Sequence, residues 1–200
     1  MKSQKNINES FENHKPSQTA LSTSEKDLID ALLSGQIVTI PTETVEGYAV
    51  RLCNESAIYD LMRLKDRDFT SGKIFTLVPE SKSTISQYTL IPPAAQPLID
   101  QYVPGELTII LPKNPNFIHP YYDHFTTIGI RIPAHSLFKT ILPLTGPLLL
   151  TSANPRGGTP KSTTGHLPST IVDFTTSTPK ILRQGNLHLN LSKLPPISAK

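Results

Sequence analysis

The sequence predicts an α/β or α+β domain built on a mixed, twisted sheet. Three observations lead there. Short apolar runs of strand length, such as "QIVTI" at 36–40 and "PLLLTSAN" at 147–154, recur along the chain. They alternate with segments whose apolar residues return at helical spacing. Prolines are numerous, 19 in all, which favours many loops and edge-strand ends. Two hundred residues suit one domain, or one domain with a tail, and are enough to bury a sizeable core.

Each element has its own local reason. The first 21 residues are polar and read as a disordered tail, so the domain is expected over 22–186, with a second tail over 187–200. Ser22 or Ser24 can cap a first helix carrying Leu28, Ile29, Leu32 and Leu33, and Gly35 ends it. "QIVTI" (36–40) and "GYAVRL" (47–52) read as strands. Asn54 caps a helix over 55–64 with Ile58, Leu61, Met62 and Leu64 on one side. "IFTLV" (74–78), "PGELTIILP" (104–112) and "TTIGIRIP" (126–133) are strands behind turn signals. Helices are expected around 93–102 and over "SLFKTIL" (136–142). "PLLLTSAN" is a buried strand with a polar end, and "TIVDF" and "KILRQG" form a final pair of strands. No internal repeat is present.

Composition narrows the function classes. The formal charge is +3 and the pI about 8.9, a balance that permits nucleotide or RNA ligands without demanding them. A single cysteine, Cys53, excludes an internal disulfide and points to a reducing, cytoplasmic setting. It reads as a buried, inert thiol. No apolar run is long enough for a membrane span, and the N-terminus has no apolar core of a secretory signal. There is no P-loop. The six histidines show no metal-ligand spacing. "HPYYDH" reads as a surface loop, and one "RGG" is too short for an RNA-binding tract.

Several strands end in polar clusters that do not look like ordinary turns: "PTET", "KDR", "TTIGIR" and "TSAN". Ligands of sheet-based folds often sit where such ends converge. Lys65 and Arg67, two apart, point to one side if the segment is extended, and an anion between them would relieve their repulsion. A solvated basic loop is the plainer alternative. Ser152 and Asn154 offer a hydroxyl and an amide for a phosphate or sugar, or else a helix cap or Asx-turn. Arg131 lies inside an apolar strand and needs a partner, either Asp123, another structural carboxylate, or a ligand carboxylate. Thr42 and Thr44 share one face if the strand continues, with Glu43 and Val45 turned the other way.

Taken in order, "PTETVEGY", "KDR", "PGELT", "IGIRIP", "TSAN" and "ILRQG" resemble the YrdC family of L-threonylcarbamoyladenylate synthases, over roughly residues 22–186. The resemblance implies a twisted open α/β sheet with flanking helices around a positively charged cavity. It implies a reaction of L-threonine, bicarbonate and ATP, with Mg²⁺ bridging phosphates, giving threonylcarbamoyl-AMP and pyrophosphate. A downstream tRNA threonylcarbamoyl transferase would consume the product; whether this chain touches tRNA directly is left open. By the same resemblance Lys65, Arg67, Ser152 and Asn154 form the catalytic and phosphate-binding set. Thr127 and Arg183 join them at ATP, and Thr44 and Arg131 hold threonine. No protein metal cage is implied.

The chain departs from the family pattern in places. Glu46 stands where the family usually has tyrosine; it is expected to turn away from the cavity or to pair with a cation such as Arg51, the alternative being altered substrate binding. Val103 replaces a common tryptophan. The stretch 158–169 is too short for the helix usual there, so part of a cavity wall is missing or falls to other residues. No long extension follows Gly185, so the further domain of longer relatives is not expected. A catalytically weak nucleotide- or RNA-binding module of the same fold is the competing reading. A carbamoyl-transfer role inside a larger hydrogenase-maturation protein is set aside, because zinc-finger cysteines are lacking.

Overall fold

Two helix ends set the frame of the molecule. The computed structural model describes residues 25–195 except 156, 157, 161, 163 and 164, so the expected N-terminal tail lies outside the described residues. Helix α1 (Glu25–Leu33) has Glu25 and Asp27 in its first turn, where negative charge suits the helix dipole, and buries Leu28, Ala31 and Leu32. Gly35, at φ +83°, closes it. The Gly35 N–H donates to Leu32 O (3.1 Å) and the Gln36 N–H to Ala31 O (2.9 Å), the paired bonds of a Schellman cap.

Helix α2 (Glu55–Leu64) begins as the sequence predicts, with Asn54 Oδ1 accepting from the Ala57 N–H at 3.0 Å. It ends on the same kind of cap, with Asp66 at φ +46° in the place of glycine. The Asp66 N–H donates to Arg63 O and the Arg67 N–H to Met62 O, at 3.1 and 2.9 Å. Lys65 and Arg67 are therefore not in an extended segment. A left-handed residue turns the chain between them.

Eight strands form one mixed sheet: β1 (Val38–Ile40), β2 (Gly47–Arg51), β3 (Thr76–Val78), β4 (Leu107–Pro112), β5 (Thr127–Ile130), β6 (Leu148–Ser152), β7 (Thr170–Asp173) and β8 (Lys180–Arg183). The order is β1-β2-β6-β3-β5-β4-β7-β8. β3–β5 and β4–β7 are parallel and the other neighbours antiparallel. Helices α3 (Ile85–Tyr88), α4 (Gln96–Tyr102) and α5 (Leu137–Thr145) complete the elements. α5 runs on through Pro143, whose ring lies on the exposed side, where the Lys139 carbonyl it leaves unpaired can meet water.

Strand alternation splits the core in two. Ala49, Val78, Leu148 and Leu150 face α1 and α5. Val50, Leu77, Ile109, Ile128, Leu149 and Val172 face the larger core, which holds α2, Phe75, Tyr121 and Tyr122. The "HPYYDH" segment is thus no surface loop. Tyr121 Oη accepts from the Phe75 N–H (2.9 Å) and Tyr122 Oη donates to Phe75 O (3.1 Å), satisfying the backbone just ahead of β3. Cys53, expected to be buried, is exposed. Leu187, Leu189, Leu191 and Leu194 pack on the larger core, so packing does not break at residue 186 as expected. Among the described residues no helix is long and apolar enough to cross a membrane.

A Cβ on Gly35 would lie 2.3 Å from Asn54 Nδ2, the side chain that caps α2. Gly35→Ala therefore strains a left-handed residue and displaces a cap at once. It is expected to lower the unfolding free energy by roughly 2 kcal/mol, read from the urea midpoint at unchanged slope.

Candidate functional site

On the face that α1 and α5 leave open, β5, β4, β7 and β8 turn Gly129, Thr108, Ile171 and Arg183 away from the larger core. There a cavity of about 180 Å³ opens. Thr42, Glu46 and Gly47 line it from the β1–β2 connection, Thr76 from β3, Thr108 from β4, Ser152 from the end of β6, and Ser169 from the approach to β7. Arg67, Arg131 and Arg183 bring three guanidiniums, against the single carboxylate of Glu46 among the lining residues.

β1 stops at Ile40, so its alternation does not reach "PTET". Thr42 Oγ1 instead accepts the N–H groups of Thr44 (3.1 Å) and Val45 (3.2 Å), folding the connection into a turn. That turn aims Glu43 and Thr44 together at Arg131, contrary to the expectation that Glu43 faces away. Arg131 Nη2 donates to Thr44 Oγ1 (2.8 Å) and to Glu43 Oε1 (3.0 Å), and Nε donates to Gly105 O (3.2 Å). Asp123 is engaged elsewhere, with Lys113 at 2.8 Å. Thr44 is fully buried and outside the cavity lining, so it meets the cavity through Arg131. Gly105 cannot carry a side chain, since a Cβ would lie 2.6 Å from Tyr102 O.

Lys65 and Arg67 are brought to one side by the cap of α2, but they do different things. Lys65 is only 4 % exposed and stands behind the wall. Its Nζ donates to Ser152 O (2.8 Å) and to Asn154 O, tying the end of α2 to the end of β6. Burial, with the neighbouring Arg67 charge, lowers this amine to about 8. Arg67 lies in the wall itself, its guanidinium carbon 5.0 Å from the centre of the Phe75 ring. Ser152 also lines the cavity. Asn154 does not; its Nδ2 donates to Pro155 O (2.9 Å) and Gly158 O (2.7 Å), shaping the loop. Its Oδ1 is buried without a hydrogen bond among the described residues.

Arg183 reaches the cavity from the edge strand. Its Nε donates to Ser169 O (2.9 Å) and Nη2 to Ser169 Oγ (3.0 Å), and Ser169 Oγ is 2.8 Å from Thr108 Oγ1. Burial and then the charge of Arg131 lower the pKa of Arg183, so the two cations feel each other. The described part of 153–169 contains no helix; it touches the β1–β2 connection through a bridge between Val45 and Ser162. Pro168 and Ser169 supply the wall that this short stretch was expected to lose or leave to others.

Thr127 lies on the cavity side of β5, but opposite Pro112 and four residues from Arg131, ~13 Å along a strand. It is not among the lining residues. Glu46 faces the cavity, and Arg51, offered as its partner, donates through Nε to Thr145 O (2.7 Å) at the far end of β2. Gly105, Thr108 and Ser169 were not singled out by the sequence, and Glu43 was turned the wrong way. Only Thr108 left a signal, as a polar residue inside the apolar run "LTIIL".

This arrangement can bind an anion larger than one phosphate and hold a carboxylate beside it. The sequence profile of the Sua5/YciO/YrdC family, described as "Telomere recombination", matches residues 30–167. A putative threonylcarbamoyl-AMP synthase of Methanocaldococcus jannaschii is 35 % identical over 63 % of this chain and 58 % of its own. A threonylcarbamoyl-AMP synthase of Pseudoalteromonas atlantica is 32 % identical over 80 % of this chain and 81 % of its own. The crystal structure of Pyrococcus abyssi Sua5 complexed with L-threonine superposes with a TM-score of 0.72 at 24 % identity, over 82 % of this chain and 54 % of that one. The chain thus spans little more than half the length of the first and third of these. The third likeness is one of fold.

The Lys65 geometry carries a pH signature. Its folded-state pKa of about 8 lies below the ordinary 10.5, so between those values the unfolded chain holds more protons and stability rises with pH. Urea denaturation across this window is expected to show wild type gaining on Lys65→Met as pH increases. Parallel curves would place the amine in an unperturbed setting.

Proposed function

The chain belongs to the Sua5/YciO/YrdC family, and on that footing we propose that it is a threonylcarbamoyl-AMP synthase. The reaction joins L-threonine, bicarbonate and ATP and releases pyrophosphate, and the product feeds a separate tRNA threonylcarbamoyl transferase. The observation that carries the reading is the convergence of Arg67, Arg131 and Arg183 on one hydroxyl-lined cavity.

In the proposed reaction the threonine amine and bicarbonate form a carbamate with loss of water. A carbamate oxygen then attacks the α-phosphorus of ATP, the bond to the β-phosphate breaks, and pyrophosphate leaves. Charge builds on the phosphoryl oxygens and the leaving group, where fixed cations stabilise it most. Arg67 and Arg183 have no carboxylate partner among the described residues, which leaves both charges for the phosphates. Arg131 takes the threonine carboxylate. Ser152 offers a hydroxyl beside Arg67, and Lys65 keeps it there by holding the end of β6. Asn154 shapes the same loop.

The donor set fits a magnesium ion that arrives on the phosphates. Among the described residues no three His, Cys, Asp or Glu side chains converge, while hydroxyls and one carboxylate line the wall. Glu46 and Ser152 are the residues that would hold it, and the ion would neutralise phosphate charge. The competing reading is a module that binds nucleotide or RNA without turnover.

Pyrophosphate release from ATP, bicarbonate and Mg²⁺, assayed with and without L-threonine, tests the proposal. Threonine-dependent release with threonylcarbamoyl-AMP seen by mass spectrometry is the expected result; nucleotide binding with no release would favour the module. Arg67→Ala is expected to cut turnover by about 10²–10³-fold with little change in Tm. Arg131→Ala should raise the KM for threonine and also lower Tm, since it removes an anchor of the wall; a lowered Tm with an unchanged KM would make Arg131 a purely structural ion pair.

A further inference from the structure

Of the three guanidiniums in the cavity, only Arg131 is held by a carboxylate among the described ion pairs, and that carboxylate comes from Glu43. Arg131 is 5 % exposed and is anchored by Glu43, Thr44 and Gly105. These bonds occupy Nε and Nη2, and Nη1 makes no hydrogen bond among the described residues. A buried guanidinium with no counter-charge draws in whichever available ligand carries the most negative charge. In a cavity that receives ATP and releases pyrophosphate, that ligand is a phosphate. A guanidinium already neutralised still presents a directed N–H, but loses the long-range pull on polyanions.

We propose that Glu43 is a positioning and specificity residue. It fixes the direction of Arg131 and offsets much of its charge, so that Arg131 selects a singly charged carboxylate over a phosphate. Arg67 and Arg183, which no described carboxylate pairs, keep their charge for the polyanion. This rests on the reading that Arg131 receives the amino-acid carboxylate. It assigns the acidic residue of "PTET" a task the sequence did not suggest.

The test is calorimetric titration of the full chain with L-threonine and, separately, with inorganic pyrophosphate, without turnover. Glu43→Gln keeps the acceptor and the volume but removes the charge. It is expected to shift the ratio of the two dissociation constants at least about tenfold toward pyrophosphate. Adding Arg131→Ala to Glu43→Gln should cancel that shift, because the effect runs through Arg131. Glu43→Asp keeps the charge but shortens the reach. It should leave the pyrophosphate dissociation constant near wild type while weakening threonine binding about fivefold.

A ratio unchanged in Glu43→Gln, with Tm preserved, overturns the charge role. Equal weakening of both ligands with a lowered Tm would reduce Glu43 to a structural residue. Wild-type threonine affinity in Glu43→Asp overturns the positioning role, and serves where Glu43→Gln does not fold. If the wild-type chain binds pyrophosphate but no threonine, the reading of Arg131 as a threonine site fails instead. The pyrophosphate arm of Glu43→Gln then still decides whether Glu43 masks the Arg131 charge.

Discussion

The buried guanidinium of Arg131 is the interaction on which the cavity depends. It joins three segments that the chain otherwise keeps apart: the turn after β1, the start of β4, and the end of β5. Each partner is produced by a local feature. The Thr42 turn supplies Glu43 and Thr44, and Gly105 passes so close to Tyr102 O that only a residue without a side chain fits there. Breaking one bond of such a set leaves a buried charge short of partners, which costs more than the bond itself contributes. The walls of the cavity and its chemistry therefore share one anchor.

Lys65 plays a comparable part on the opposite side. The amine that looks like a phosphate ligand is spent on two main-chain carbonyls, and the hydroxyl and guanidinium next to it are what meet the cavity. The two cations of "KDR" are separated in role by a single left-handed aspartate.

Much of the fold was legible because its signals are local. Asn54 capping α2, Gly35 closing α1 and the apolar runs of β2, β4 and β6 follow from spacing and cap chemistry. The site was legible in part. Arg67, Arg131, Ser152 and Arg183 come together, as the family resemblance implied. Glu43 was misplaced because strand alternation was carried past the point where the strand stops. Gly105 and Ser169 were missed because they act through a carbonyl or a neighbouring side chain, which no spacing rule records. The tyrosines of "HPYYDH" were misread because their surroundings are polar in sequence while their rings fill the core beside Phe75.

The cavity floor stands on the same strands as the core. Thr76 alternates with Leu77, Thr108 with Leu107 and Ile109, and Ile171 with Val172. A shift of one residue in any of these strands would exchange floor for interior, turning apolar side chains into the cavity and burying hydroxyls without partners. An insertion or deletion within them is thus excluded on two counts, stability and chemistry together. Length can vary only between the strands, in connections such as that from β6 to β7.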